Sequence, residues 1–237
     1  MPKPQLTISR SPLKAETRRD SGDFSGGDSF RFELIRKAIH LCSITIPVFY
    51  FFTPRQLALE VLIPLTLAFI AIDIARYYLG PVETWFYETF GWLLRSRERD
   101  SNRKRLNGAT YVLISATLCV LIFPKLIAVT SFLILIISDL SAALIGKRFG
   151  RHRLFGKSLE GSLGFFASAL IIIALLPKIE YAPAEYGIGV VAALAGAAVE
   201  ALPIDVDDNI SVPLTVGAAL WAGYALFLPL LNVYKFG

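Results

Sequence analysis

A carboxylate lies inside an apolar stretch, and a glycine-rich basic segment follows it. Asp139 follows the apolar residues FLILII and Ser138, where an unpaired charge in a membrane costs about 3 kcal/mol or more. Glycines allow tight turns that direct backbone N–H groups at an anion, and basic side chains supply the countercharge. The segment therefore predicts a polyphosphate site beside a membrane-embedded carboxylate. The candidate phosphate-binding groups are Gly146, Lys147, Arg148, Arg151, Arg153, Gly156, Lys157, Ser158, Glu160 and Gly161.

This segment is not a Walker A loop, because that spacing requires a glycine where the chain has Arg151. Small residues follow Asp139 at helical spacing, at Ala142, Ala143 and Gly146. That face admits the close approach of another backbone or of a ligand. Two other interpretations stay open: the basic residues only anchor the chain at the membrane surface, and Asp139 only hydrogen-bonds to a neighbouring helix.

A compact acidic segment follows near the end of the chain and comprises Glu200, Asp205, Asp207, Asp208 and Asn209. Carboxylates and an asparagine amide are hard oxygen ligands suited to Mg²⁺. We therefore expect Mg²⁺ to be held by Asp139 with Glu200, Asp207 or Asp208, and Asn209 to be a further polar group of the site. The alternative is a solvated turn in which Asp208 and Asn209 cap the next helix.

Further polar groups open or close apolar runs. Arg36, Lys37 and His40 open the first run, where the simpler interpretation is snorkelling for the two basic residues and packing for the histidine. Asn107 opens the third run and is a candidate nucleotide-binding residue. At the end of the second run, Asp73 and Arg76 have the i, i+3 spacing that is typical of an ion pair within one helix.

The elements that must position these groups are apolar helices. Of 237 residues, 54% are hydrophobic and 18% are charged, with a mean hydropathy of +0.56. Soluble domains have about 45–50% hydrophobic and about 25% charged residues. This excludes a disordered chain and disfavours a soluble α/β domain. The prediction is an all-α, polytopic membrane helix bundle of about seven transmembrane helices. The seven apolar runs are 34–53, 56–79, 108–124, 126–146, 161–177, 183–202 and 211–231.

Basic residues indicate the orientation. With the N-terminus inside, 20 of the 24 Lys and Arg residues fall on the inner side, and the outer side keeps Arg55, Lys125, Lys178 and Lys235. This predicts an N-in, C-out topology with the candidate site on the cytoplasmic face. Residues 1–30 are polar and are predicted to be a disordered cytoplasmic tail before a membrane-embedded domain at 31–237.

The segment 80–107 combines aromatic residues with basic residues that follow them, which predicts an interfacial amphipathic helix. Its aromatic residues lie at interface positions and are not interleaved with basic ones, so the net charge of +5 does not indicate a nucleic-acid partner. Both cysteines, Cys42 and Cys119, lie in apolar runs and are expected to be small buried hydrophobic residues.

The motifs occur in the order R-K-x-x-H, N-G-A-T-Y, S-D-x-x-A-A-x-x-G-K-x-x-G, G-K-S-x-E-G-S, E-x-x-P and D-D-N. In this order the chain resembles the polyprenol kinase family, which includes dolichol kinases, phytol kinases and CTP-dependent diacylglycerol kinases. The resemblance covers residues 31–231 and is most specific over 138–162. It implies a multi-span enzyme that phosphorylates a membrane lipid alcohol with CTP, giving lipid phosphate and CDP. It also transfers functional importance onto Arg36, Lys37, Asp139 and Gly146.

On this hypothesis the basic loop holds the triphosphate with Mg²⁺, Asp139 or His40 orients the lipid hydroxyl or accepts its proton, and Arg36 and Lys37 steady the transferring phosphate. A phosphatidate cytidylyltransferase-like enzyme and a lipid or ion transporter are the alternative functions. The choice of CTP rests on the resemblance alone. The lipid alcohol, the general base, the Mg²⁺ ligands and the oligomeric state stay open.

Overall fold

The structure is a computed structural model, and it describes residues 38–91 and 105–236. These residues form a short helical segment over 38–42, eight further helices and one β-hairpin. The helices are α1 (Thr45–Phe52), α2 (Arg55–Ala75), α3 (Gly80–Phe90), α4 (Gly108–Ile122), α5 (Lys125–Phe149), α6 (Leu159–Leu175), α7 (Pro183–Ala201) and α8 (Asp208–Phe227).

Side-chain caps start three of these helices. The Asn107 side chain accepts a hydrogen bond from the Thr110 N–H at the start of α4, and Ser158 accepts one from the Gly161 N–H at the start of α6. The Asp207 side chain accepts one from the Asn209 N–H at the start of α8. Such caps satisfy N–H groups that have no partner within a helix. Each capped start therefore fixes the position of a candidate site residue.

Helix α5 forms the centre of the bundle. It packs against α1, α4, α6 and α8, and Ile134, Leu135 and Ile136 are completely buried. A helix that is apolar on all sides is stable only when neighbours surround it. By contrast, α2 leaves apolar side chains such as Val61 and Leu67 exposed. Consequently α5 is the scaffold on which the polar ends of the other helices are placed.

Four helices are long and apolar enough to cross a membrane, namely α2, α5, α7 and α8, and three shorter apolar helices cover Ala38–Phe52, Gly108–Ile122 and Leu159–Leu175. These helices support the prediction of a mainly helical membrane protein. Each predicted apolar run overlaps one of these seven helices. The count of seven spans and the N-in orientation stay predictions, and the predicted tail lies outside the described residues.

The predicted interfacial helix coincides in part with α3, in which Phe86 is buried and Trp85 is half-exposed. The basic part of that segment, over 92–104, lies outside the described residues.

One element departs from the all-α prediction. Strands β1 (Arg153–Leu154) and β2 (Lys157–Ser158) pair antiparallel, with Arg153 opposite Ser158. The turn between them has two residues with positive φ, Phe155 at 49° and Gly156 at 95°, which suits a tight hairpin of right-handed twist. Strands of two residues are too short to produce an alternating pattern in the sequence, so the hairpin was missed.

Candidate functional site

An ion cluster joins β2, α7 and α8 at one end of the bundle. The Lys157 ammonium donates to Glu200 Oε1 at 2.9 Å and to Asp208 Oδ2 at 3.0 Å. It also donates to the backbone carbonyl of Glu200. We call Lys157, Glu200 and Asp208 the Lys157 cluster. It brings one predicted phosphate-binding residue into contact with two predicted metal ligands.

The members of the Lys157 cluster differ in depth. The Glu200 side chain is 7% exposed, whereas those of Lys157 and Asp208 are 35% and 40% exposed. Burial alone would lower the pKa of Lys157, but the hydrogen bonds and negative charges of Glu200 and Asp208 outweigh it and raise the pKa above its ordinary value. Lys157 is therefore held as a cation over the neutral pH range.

Asp139 and His40 lie beside this cluster. His40 Nε2 is 4.0 Å from Asp139 Oδ2, with side-chain exposures of 15% and 25%. Asp139 is also near enough to act electrostatically on Asp208. Two carboxylates about 70 residues apart in the chain thus lie at one site. The predicted catalytic partners Arg36 and Lys37 lie outside the described residues.

The end of α5, the hairpin and the residues between them carry exposed basic side chains. Lys147, Arg148, Arg151 and Arg153 are all exposed. Glu160, a predicted phosphate-binding residue, instead accepts hydrogen bonds from the backbone N–H and the Nδ1 atom of His152. In this conformation Glu160 holds the hairpin against the start of α6, and the basic residues face solvent.

Three small residues of the predicted phosphate segment form a helix contact. A methyl group on Gly161 would lie 2.9 Å from the Ala142 carbonyl oxygen and 3.3 Å from the Gly146 Cα, and one on Gly146 would lie 2.7 Å from the Ser158 hydroxyl. The small face after Asp139 therefore receives another backbone, that of α6. This packing accounts for both glycines, and their binding of nucleotide stays a prediction.

Two neighbouring residues of the acidic segment, Asp207 and Asp208, have different contacts. Asp207 Oδ1 accepts hydrogen bonds from the backbone and side-chain amides of Asn209, at 3.0 and 2.7 Å, as the N-cap of α8. The cap expected at Asp208 and Asn209 is thus one residue earlier, since Asp208 turns to Lys157 instead.

A second group of polar residues lies between α2 and α4, and we call it the Asp73 cluster: Asp73, Arg76, Asn107 and Thr110. Asp73 Oδ2 accepts from the Asn107 backbone N–H at 2.8 Å, from Asn107 Nδ2 at 2.9 Å and from the Thr110 hydroxyl at 2.6 Å. Its other oxygen lies 3.1 Å from Arg76 Nε, and both side chains are fully buried. The predicted ion pair within one helix is confirmed, but it also joins two helices.

Arg76 extends this cluster to the chain before α4. Its Nη2 atom donates to the Arg105 carbonyl at 2.8 Å and to the Tyr77 hydroxyl at 2.9 Å, and its guanidinium lies 4.5 Å from the centre of the Phe86 ring. Asn107, which we predicted to bind nucleotide, therefore has a structural role in this conformation.

Sequence reasoning missed two contributors. Ser162 donates to Glu200 Oε2 at 3.3 Å, and Thr110 is a donor to Asp73. Both belong to motifs that were identified, G-K-S-x-E-G-S and N-G-A-T-Y. A polar residue one turn inside an apolar helix was the available signal, because such a residue needs a partner.

The donor set around Lys157 is compatible with Mg²⁺. Among the described residues no group of three or more His, Cys, Asp or Glu side chains is arranged for a metal ion. The Lys157 cluster offers two carboxylates and one carbonyl oxygen directed at a single cation. Mg²⁺ commonly binds through one or two carboxylates plus substrate phosphates. The residues thus fit a nucleotide-bound Mg²⁺.

Comparison with known proteins identifies a relative that matches most of the chain. The chain is 32% identical over 190 residues to the uncharacterized protein RP860 of Rickettsia prowazekii, which covers 79% of this chain and 93% of that protein. The chain belongs to the family of RP860. No family model and no solved structure matches the chain.

Two further relatives are similar over shorter ranges. CTP-dependent diacylglycerol kinase 1 of Schizosaccharomyces pombe is 30% identical over 97 residues, which is 40% of this chain and 43% of that protein. The chloroplastic farnesol kinase of Arabidopsis thaliana is 32% identical over 149 residues, or 56% and 48%. The chain thus spans less than half the length of each kinase.

Proposed function

We propose that the protein is a membrane-embedded kinase that transfers the γ-phosphate of CTP to the hydroxyl of a lipid alcohol. The observation that carries this proposal is the meeting of Asp139 with the Lys157 cluster at one end of an apolar helical bundle. A lipid reaches such a site from the membrane, and a nucleotide reaches it from water. Similarity to two kinases named for diacylglycerol and farnesol, which are both lipid alcohols, supports the reaction.

The proposal includes seven spans, with the N-terminus and the active site on the cytoplasmic side. Seven apolar helices and the uneven distribution of basic residues support this arrangement. Cytosolic nucleotide would then meet the exposed basic loop, while the lipid chain would enter sideways between the helices.

In this reaction the lipid hydroxyl oxygen forms a bond to the γ-phosphorus, and the bond from that phosphorus to the β,γ-bridging oxygen breaks, so CDP leaves. Because His40 Nε2 and Asp139 Oδ2 are 4.0 Å apart, one hydroxyl oxygen can lie within hydrogen-bond distance of both. Either group can accept the hydroxyl proton. Arg36 and Lys37 would steady the transferring phosphate.

Phosphoryl transfer depends on positioning and charge neutralisation. Lys147, Arg148, Arg151 and Arg153 would hold the triphosphate from the exposed loop. Glu200 and Asp208, with Asp139 or Asp207 nearby, would hold Mg²⁺. When bound, Mg²⁺ would neutralise charge on the phosphate oxygens.

The test uses purified protein in lipid nanodiscs with diacylglycerol, farnesol, phytol or dolichol, and with CTP labelled in either the α- or the γ-phosphate. Label in the lipid from γ-labelled CTP alone is the expected result. Label from α-labelled CTP in a parallel assay with phosphatidate as the acceptor would indicate a cytidylyltransferase, and no labelled lipid with any alcohol would refute the proposal. Unlabelled ATP, GTP and UTP as competitors then measure the preference for CTP.

Asp139→Asn should lower the rate of phosphorylation by about 100-fold or more, because it removes a charged group at the reacting atoms. Asp205→Asn is the matched control, since Asp205 is an exposed carboxylate of the same acidic segment and has no proposed role. Equal rates for folded Asp139→Asn and wild-type protein would remove Asp139 from the mechanism.

A further inference from the structure

The Lys157 ammonium has surroundings that resemble those of a bound metal cation. It faces three oxygen atoms: a carboxylate oxygen each from Glu200 and Asp208, and the Glu200 backbone carbonyl. The three donors come from two helices and converge on one point. Carboxylate and carbonyl oxygens are the donors that hard divalent cations prefer.

Glu200 needs a cation at this point regardless of nucleotide. It lies in the last turn of α7, where the helix dipole disfavours a negative charge, and its side chain is nearly buried. Ser162 donates to only one of its oxygens. A buried carboxylate at a helix C-terminus is therefore stabilised by whichever cation occupies the space between Glu200 and Asp208.

The Lys157 cluster and the neighbouring Asp139 together hold more negative than positive charge. Asp139, Glu200 and Asp208 provide three carboxylates near one ammonium. A divalent cation would balance this charge better than Lys157 does, particularly when nucleotide phosphates complete its coordination. Exchange of one cation for the other is thus electrostatically favourable once a nucleotide supplies those phosphates.

Lys157 can leave without rearrangement of the fold. Its side chain is 35% exposed, and it extends from a hairpin that is independently held by the contact between Glu160 and His152. Lysine has a flexible four-carbon stem, so its ammonium can move by side-chain rotation alone. The exposed Arg153 lies on the same hairpin, and the exposed Arg151 lies two residues before it, so the released ammonium would join them.

On the basis of the proposed function, we propose that Lys157 occupies the divalent-cation position in the nucleotide-free protein, and that binding of the metal–nucleotide complex displaces its ammonium onto the nucleotide phosphates. Lys157 would therefore compete with the metal ion for Glu200 and Asp208. It would then become a phosphate ligand only after the metal has bound.

The first test measures Mn²⁺ binding without nucleotide, by electron paramagnetic resonance of free Mn²⁺, to purified protein in nanodiscs. Lys157→Met should lower the Mn²⁺ dissociation constant by about tenfold, because the competing ammonium is lost. Lys235→Met is the matched control: it removes one exposed positive charge that donates to the Ile179 carbonyl and should leave binding unchanged. Glu200→Gln combined with Lys157→Met should abolish the gain.

The second test adds a non-hydrolysable CTP analogue with a β,γ-methylene bridge. Lys157→Met should bind this analogue about tenfold more weakly in the presence of Mn²⁺, because a phosphate ligand is lost. A structural defect would weaken the binding of both Mn²⁺ and the CTP analogue. Tighter metal binding together with weaker nucleotide binding is therefore the specific signature of the proposed exchange. Metal affinity equal to or below that of the wild type would overturn the proposal.

A measurement on wild-type protein applies even where Lys157→Met fails to fold. Saturating Mn²⁺ alone should raise acylation of the Lys157 amine severalfold in mass-spectrometric footprinting, and addition of the CTP analogue should lower it again as the amine moves onto the phosphates. The exposed Lys235, which has no proposed role, is the internal reference. Unchanged Lys157 reactivity with Mn²⁺ would overturn the proposal. The nucleotide-free metal measurements involve no lipid, so they can succeed even where no lipid alcohol is phosphorylated.

Discussion

Among the described residues, the Asp73 cluster and the Lys157 cluster each combine acidic and basic side chains at one end of the bundle, and they differ in how completely they are enclosed. Tyr111 interacts electrostatically with both Asp73 and Asp207, which places the clusters near each other. The Asp73 and Arg76 side chains are fully buried, and one Asp73 oxygen accepts three hydrogen bonds. The Lys157 and Asp208 side chains retain contact with solvent. Enclosure suits a structural role, whereas access to solvent leaves room for a ligand.

The comparison also shows that motif membership does not determine role. Asn107 belongs to N-G-A-T-Y and Lys157 belongs to G-K-S-x-E-G-S, and both motifs carry the family resemblance. Asn107 caps α4 and binds Asp73, whereas Lys157 bridges two carboxylates that are suited to a metal ion. Variants that separate stability from activity test this difference.

Removal of Arg76 should have the largest effect on stability. Arg76→Met leaves the buried Asp73 carboxylate without its counterion, which should lower the free energy of unfolding by about 3–5 kcal/mol. Unfolding in detergent micelles, followed by tryptophan fluorescence or steric trapping, measures the loss. Glu60→Gln is the control, because the Glu60 contact with Gln56 is on the surface and should matter by less than about 0.5 kcal/mol.

The double variant Asp73→Asn with Arg76→Met identifies the cause. It contains no uncompensated charge, so it should be more stable than Arg76→Met alone. Equal stabilities would show that lost packing of Arg76 against Phe86, rather than the exposed charge of Asp73, explains the effect.

A change in the helix contact beneath the Lys157 cluster should have an intermediate effect. Gly161→Ala places a methyl group 2.9 Å from the backbone carbonyl of Ala142, so α6 must move away from α5 at a cost of about 1–3 kcal/mol. Gly187→Ala is the matched control, because Gly187 is also helical and a methyl group there meets nothing within 4 Å. A neutral Gly161→Ala would contradict the close contact of α5 with α6.

Asn107→Ala should lower the free energy of unfolding by about 1–2 kcal/mol, since the cap of α4 and the side-chain amide donor to Asp73 are lost. Here the backbone N–H of Asn107 still reaches Asp73, which limits the loss. If its role is structural, the KM for CTP of the folded variant stays at the wild-type value. A raised KM with unchanged unfolding would instead support the nucleotide-binding role that its motif predicts.

The sequence could predict the helices better than the contacts between them. Each apolar run overlaps a helix. This could be predicted because the apolar composition of a continuous segment is read directly from the chain. The charge distribution predicted that the basic and acidic segments share one face, and the Lys157 cluster joins residues of both. The contact of Asp73 with Asn107 had no sequence signal, because 34 residues separate them. Such pairs depend on how helices cross, which no periodic pattern records.

A small effect on stability, with a large effect on activity, is expected for Lys157→Met. The nearly buried Glu200 loses its counterion, but solvent reaches Lys157 and Asp208, so the free energy of unfolding should fall by about 1–2 kcal/mol. Phosphorylation should fall by about 100-fold, because a cation that meets the transferred charge is removed. Glu60→Gln again serves as the surface control.

The stability difference between wild type and Lys157→Met should not vary with pH near neutrality. The interactions with Glu200 and Asp208 outweigh burial and raise the pKa of Lys157, so its contribution is fully present below the unfolded pKa of about 10.4 and is lost only as the pH rises through the higher folded value. Unfolding measured from about pH 7 to about pH 9 should therefore give parallel curves for the two proteins. Curves that converge within this range would mean that Lys157 loses its proton there. It would then be unable to compete with a metal ion as a cation, and the contrast between a structural cluster and an exchangeable one would need another basis.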